Sequence, residues 1–172
     1  MNMIKKNKEI KIRDAVEKDL EAIVRIYNYA IINTTATFDT RPKTVKSQEK
    51  WFYRHSQEYP IIVAEDDGGG VIGWASLSRW SDRCAYDKTA EISVYVEKDN
   101  QNIGIGNRLI VEIIKIARKN KLHVIIARIA GENEISIHIH KKYGFIYAGS
   151  LKEAGFKFNR YIDVNLMQLI LD

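Results

Sequence analysis

The stretch Gln101-Asn102-Ile103-Gly104-Ile105-Gly106 joins a β-rich run to a helical one, and such a junction can hold an anion. Successive backbone N–H groups and the positive end of a helix meet a phosphate there, provided no side chain blocks its approach. Gly104 and Gly106 remove those side chains. No Gly-Lys-Ser/Thr follows, so the turn is not that of a Walker ATPase. Leu109 stands at the third glycine of the G-x-G-x-x-G fingerprint, which disfavours a nicotinamide enzyme. The one cysteine, Cys84, excludes an internal disulfide and has no predicted base beside it, so it is read as a small packed residue rather than a nucleophile. No paired Cys or His spacing suggests zinc, and no metal is expected.

The elements that must position this turn follow from hydrophobic periodicity. Ile10 to Arg13 reads as a short strand. Val16–Ile31 reads as a helix, with Leu20, Ile23, Val24, Ile26, Tyr27 and Ile31 at helical spacing. A polar stretch from Asn33 to Pro42 separates it from a second helix, Lys43 to Glu58, with Trp51 and Phe52 on its apolar side. Ile61–Glu65, an Asp66-Asp67-Gly68-Gly69-Gly70 turn and Val71–Leu77 have the grammar of a hairpin. After Ser78–Lys88 comes the β-rich run Thr89–Val96, then the glycine turn, then a helix carrying Leu109, Ile110, Ile113, Ile114 and Ile116. His123–Ile129 is a strand, Asn133–Lys142 a short helix, and Phe145–Lys152 with Phe158–Leu171 two closing strands. The order is βααβββαβαββ, an α/β (α+β) chain whose mixed central sheet of about seven strands has helices on both sides.

No linker or repeat divides the 172 residues, so one domain spanning 1–172 is expected. The formal net charge of +5 would suit any polyanion. Lys115, Arg118, Lys119 and Lys121, however, close one helix, where cations suit the negative end of the helix dipole. No nucleic-acid motif and no basic stripe interleaved with aromatics occurs, so neither DNA nor RNA is an expected partner. The basic start, MNMIKKNKEIKIRD, lacks the apolar core of a signal peptide, and no apolar run reaches the roughly 18 residues of a membrane span. A cytoplasmic protein with no membrane partner is the expectation.

The motif Gln101 to Gly106 resembles the coenzyme A loop of the GNAT superfamily, Gln/Arg-x-x-Gly-x-Gly/Ala. The stretch Asn133-Glu134-Ile135-Ser136 through Tyr143-Gly144-Phe145 resembles that family's Asn-x-x-Ser/Ala helix ending in Gly-Phe. Within the superfamily the likeness is to phosphinothricin and methionine sulfoximine acetyltransferases. It is carried by Ile12-Arg13-Asp14-Ala15, Ile26-Tyr27-Asn28, Ala85-Tyr86-Asp87, Thr89-Ala90-Glu91, Val94-Tyr95-Val96 and Glu153-Ala154-Gly155-Phe156-Lys157, and so spans nearly the whole chain.

The resemblance implies a GNAT fold and acetyl transfer from acetyl-coenzyme A to the amine of a small amino-acid-like acceptor. The pantetheine arm would pair with Val94, Tyr95 and Val96, the pyrophosphate would sit over Gln101, Asn102, Ile103, Gly104, Ile105 and Gly106, and Asn133 and Ser136 would meet the arm. Asn133 also suits an N-cap, and the two roles are compatible. Many relatives carry Lys or Arg where this chain has Ile103. Glu91 is the implied base for the acceptor ammonium, with a salt-bridged strand glutamate as the plainer reading. His140 stands where many relatives have the Tyr that protonates the departing thiolate, and a partly buried helix histidine is its plainer reading.

Phe38, Arg79, Arg83, Tyr86 and Thr89 lie in regions that border the acceptor site in similar enzymes, and an arginine there would grip a carboxylate in a bidentate fork. Asn159 and Tyr161 replace a Gly and a Trp of the family's late Gly-Phe-Lys-x-Gly-x-Trp-x-Asp stretch, which loosens the acceptor assignment. A homodimer is implied by the resemblance. A protein N-terminus, an aminoglycoside, or a non-catalytic coenzyme A- or nucleic-acid-binding role remain the alternatives.

Overall fold

A computed structural model describes residues 10–171; the basic start, residues 1–9, and Asp172 lie outside the described residues. The elements are β1 (Lys11–Asp14), α1 (Leu20–Asn33), α2 (Val45–Arg54), β2 (Ile61–Glu65), β3 (Val71–Arg79), β4 (Thr89–Val96), α3 (Ile105–Lys119), β5 (Val124–Ala130), α4 (Glu134–Lys142), β6 (Ile146–Lys157) and β7 (Arg160–Ile170). Their order is the one expected, and they form a seven-stranded sheet ordered β1-β2-β3-β4-β5-β7-β6. Every neighbouring pair is antiparallel except β4–β5.

Two apolar layers hold the helices to the sheet. On one face Ile105, Leu109, Ile110, Ile113 and Ala117 of α3 are buried with Ile62, Ala75, Leu77 and Ile125, and Ile137 and Ile139 of α4 pack beside them. On the other face Ile23 and Ile26 of α1 and Trp51 and Phe52 of α2 pack against Val63, Trp74 and Tyr95. Burying each large aliphatic side chain contributes about 1.5–3 kcal/mol. The α3 stripe alone therefore fixes the helix, and with it the glycine turn, against β3 and β4.

Local chemistry accounts for the differences from the expected boundaries. The first helix begins at Leu20 rather than Val16, because Asp19 turns back to accept the Val16 N–H (2.8 Å) while Arg13 pairs with the same carboxylate (2.6 Å). Residues 17–19 form a tight 3₁₀ turn instead. The second helix starts at Val45 because Thr44 and Ser47 cap each other, side chain to backbone, at 3.1 and 3.0 Å. The penultimate strand runs on to Lys157 rather than ending at Lys152, as register shifts between Tyr147 and Gly149 and between Leu151 and Gly155 absorb extra residues. The last strand starts at Arg160 because Phe158 and Asn159 form the hairpin turn, both with positive φ (51° and 57°).

Candidate active site

The sheet opens at one place. β4 and β5 pair only over Thr89↔Val124, Ala90↔Ile125 and Glu91↔Ile126. Beyond that point β4 stays with β3 as far as Val96↔Gly73, while β5 follows β7 as far as Ala130↔Val164. The strands therefore part, and the edge Ile92–Val96 has no strand partner on the β5 side. Those of its N–H and C=O groups that do not pair with β3 can meet an extended ligand chain, as a sheet edge meets an added strand, apart from the Val96 carbonyl, which accepts from Gln101.

Two clefts meet at this opening. One, of about 610 Å³, is lined by Val94, Val96, Gln101, Asn102, Gly104, Ile105, Gly106, Asn133 and Ser136. The other, of about 700 Å³, is lined by Phe38, Glu91, Ser93, Tyr95 and Arg128 among others. Val94, Asn133, Ser136 and His140 line both.

The first cleft has the form of an anion cradle. Gly104 precedes α3 with φ 89°, a conformation side chains resist, and Asn102 also has positive φ (61°). A Cβ added to Gly106 would meet only Val96 Cγ2, at 3.8 Å. Packing within the chain therefore does not require that glycine, and its bare face leaves room for a ligand in the cleft. Gln101 Nε2 donates to the Val96 carbonyl (3.1 Å), tying the turn to the strand end. Ile103 is half exposed and does not line the cleft. No lysine or arginine lines it among the described residues, so backbone N–H groups and the α3 dipole are what it offers to phosphate. Asn133 caps α4 by accepting from the Ser136 N–H (3.1 Å) and lines the cleft as well.

In the second cleft Glu91 Oε1 accepts from Arg128 Nε at 2.7 Å. The Tyr27 hydroxyl donates to Asp39 (2.8 Å), and burial together with that carboxylate pushes its pKa up to about 12. Burial likewise raises the Tyr95 phenol, whose hydroxyl donates to the Ala36 carbonyl (3.3 Å). Both phenols therefore stay neutral donors at physiological pH. Tyr95 joins the free edge through its backbone while its ring lines the second cleft.

His140 is 5% exposed, and burial lowers its pKa despite its bond to the Ser136 carbonyl. Nδ1–H donates to that carbonyl at 2.8 Å, so the neutral ring carries its lone pair on Nε2. His140 must therefore gain a proton before it can give one. Tyr143 is engaged elsewhere, donating to Asn107 Oδ1 (2.9 Å).

Of the residues assigned to the acceptor from sequence, Phe38 lines the second cleft, its ring against Gly155. Arg79, Arg83, Tyr86 and Thr89 do not line it. Arg79 is paired with Asp87, and Arg83 precedes and Tyr86 ends a short 3₁₀ turn with Cys84 exposed upon it. Arg128 and Asp39 carry no assignment from sequence, and Tyr27 enters there only as a helix residue and in the family likeness, not as part of the site. The available signal for Arg128 was a lone charge inside the apolar run Val124–Ala130.

The family model described as the acetyltransferase (GNAT) domain matches residues 12–166. The chain is 41% identical over 162 residues, 94% of each chain, to the L-methionine sulfoximine/L-methionine sulfone acetyltransferase of Pseudomonas aeruginosa. A phosphinothricin acetyltransferase of Sinorhizobium meliloti, solved in complex with acetyl-CoA, superposes with a TM-score of 0.91 at 34% identity, covering 94% of this chain and 88% of that one. A ribosomal-protein-alanine N-acetyltransferase of Brucella melitensis superposes with a TM-score of 0.90 at 38% identity, covering 94% and 99%.

Proposed function

Because the chain belongs to the GNAT acetyltransferase family and is an acetyl-CoA-dependent acetyltransferase, we propose that its acceptor is the primary amine of a small amino acid. Methionine sulfoximine, methionine sulfone and phosphinothricin, for which its relatives are named, are the first candidates. The observation that carries the reading is the Glu91 carboxylate at the point where β4 and β5 part, on a cleft that meets the glycine-turn cleft.

Acetyl-CoA, when bound, supplies the thioester carbonyl. The free edge of β4 and the turn at Gln101–Gly106, with Asn133 and Ser136, would hold it. Glu91 takes the ammonium proton, which frees the nitrogen lone pair for attack on that carbonyl. A backbone N–H of the free edge near Tyr95 or Val96 receives the charge gathering on the carbonyl oxygen. His140, whose Nε2 carries a lone pair, would accept the second proton of the acceptor nitrogen as the C–N bond forms and pass it to the leaving sulfur as the C–S bond breaks.

The working unit is proposed as a cytoplasmic homodimer of one catalytic domain, without nucleic acid, membrane or metal. Exposed apolar side chains on β6 and β7, among them Tyr147, Leu151, Phe156 and Tyr161, support a second copy there. Release of coenzyme A thiol across free amino acids, aminoglycosides and N-terminal peptides tests the acceptor class. Selective turnover of free amino acids is expected; turnover confined to peptides or aminoglycosides would overturn the reading.

A further inference from the structure

The acceptor cleft contains a charge that the reaction itself does not require. Arg128 projects from β5 two residues beyond Ile126, where pairing with β4 ends, and reaches back to Glu91 at 2.7 Å. Trp80 flanks it, the ring centroid 5.9 Å from the guanidinium carbon. Only Nε is engaged with Glu91, and the two terminal nitrogens have no hydrogen-bond partner among the described residues. The Arg128 side chain is 55% exposed, and Arg128 is the only lysine or arginine lining this cleft among the described residues.

The other charges nearby are committed. Asp39 accepts from Tyr27 and pairs with Lys43 (3.1 Å), Lys157 donates to the Thr37 carbonyl (2.7 Å), and Arg79 is held by Asp87 outside the cleft. We propose that Arg128 is the residue that reads the acceptor's carboxylate, and that Glu91 and Arg128 together form a template for the ammonium and carboxylate of a free α-amino acid. This rests on the amino-acid reading above and sharpens it. The two charges of such an acceptor are attached to one carbon, and the template presents its own two charges side by side in the opposite sense. A guanidinium offers a planar fork to a carboxylate, which an amide cannot satisfy as an anion does.

A peptide N-terminus, whose carboxyl is an amide, leaves the fork unmatched, and a polyamine meets a like charge at Arg128. The template therefore selects free amino acids over proteins and aminoglycosides.

The test compares L-methionine sulfone with its carboxamide in wild type, Arg128→Gln and Arg128→Lys, with acetyl-CoA affinity measured by calorimetry as a check on folding. Wild type is expected to prefer the free acid by about 100-fold in kcat/KM, the scale of a charge-assisted hydrogen-bond pair left unmade. In Arg128→Gln the preference for the free acid should collapse by about that factor, chiefly through a raised KM for the free acid, beyond any loss that both acceptors share through Glu91. Arg128→Lys should recover part of the preference. Equal losses for both acceptors would mean that Arg128 only positions Glu91, and would overturn the assignment. So would a wild type that shows no preference, although amino-acid acetylation would then stand. Turnover of neither acceptor, with acetyl-CoA still bound, would overturn the amino-acid reading and the assignment with it.

Discussion

Arg128 Nε lies 2.7 Å from Glu91 Oε1, across the line where β4 and β5 cease to pair. The pair joins strands that touch over only three residues, so it forms where the sheet opens for its ligands. Side-chain chemistry and sheet topology coincide there.

Gly155 of β6 lies against the ring of Phe38, and an added Cβ would come within 2.4 Å of Phe38 Cε1. Gly155→Ala should therefore push Phe38 and its loop off β6. The expected cost is about 1–3 kcal/mol in urea unfolding, with a raised acceptor KM. Phe38→Ala combined with Gly155→Ala should cost less than the sum of the two, because both act on one contact. Strict additivity would show that the contact is not the cause.

Asn159 holds φ 57° in the hairpin turn before β7. Asparagine and glycine adopt that conformation at little cost, whereas a Cβ without a polar group makes it costlier by about 1 kcal/mol. Asn159→Gly should be near neutral, while Asn159→Ala should lose about 1 kcal/mol. Matching urea midpoints for the two variants would contradict the turn geometry.

Burial lowers the pKa of His140, so its imidazole is neutral in the fold and protonates more readily when the chain unfolds. Between the ordinary value of 6.5 and the depressed folded value, the unfolded state binds more protons, and stability falls as pH drops through that window. His55, also lowered by burial, acts in the same direction. His140→Gln should therefore lose less stability than wild type between pH 7.5 and pH 5.5, measured by urea midpoint. Parallel losses would remove His140 as a contributor.

No cation lines the glycine-turn cleft among the described residues, and Ile103 is 49% exposed beside it. Ile103→Arg should lower the KM for acetyl-CoA by about two- to fivefold at low salt, with the gain fading as ionic strength rises. A salt-independent gain would point to packing instead of charge.

The glycine turn and β4 were legible in the sequence because their signals are local: two glycines at fixed spacing, and a compact β-rich run before a helix. The N-cap at Asn133 was legible for the same reason. Arg128 was not, since its meaning depends on which residue of another strand faces it, and that register is set by the whole sheet. Arg79 and Arg83 drew attention by their place in the chain, yet Asp87, eight residues on, holds Arg79. The length of β6 was hidden by Glu153-Ala154-Gly155, where a bulge with Glu153 at φ 52° continues a strand whose alternation has lapsed.

The most direct test of the account is the turnover of Glu91→Gln with L-methionine sulfone and acetyl-CoA, across a range of pH. If Glu91 takes the ammonium proton, kcat should fall by about 10²–10⁴, acetyl-CoA should bind as in wild type, and activity should partly return at high pH as the acceptor amine sheds its own proton. A Glu91→Gln protein that keeps full turnover at every pH would contradict the account.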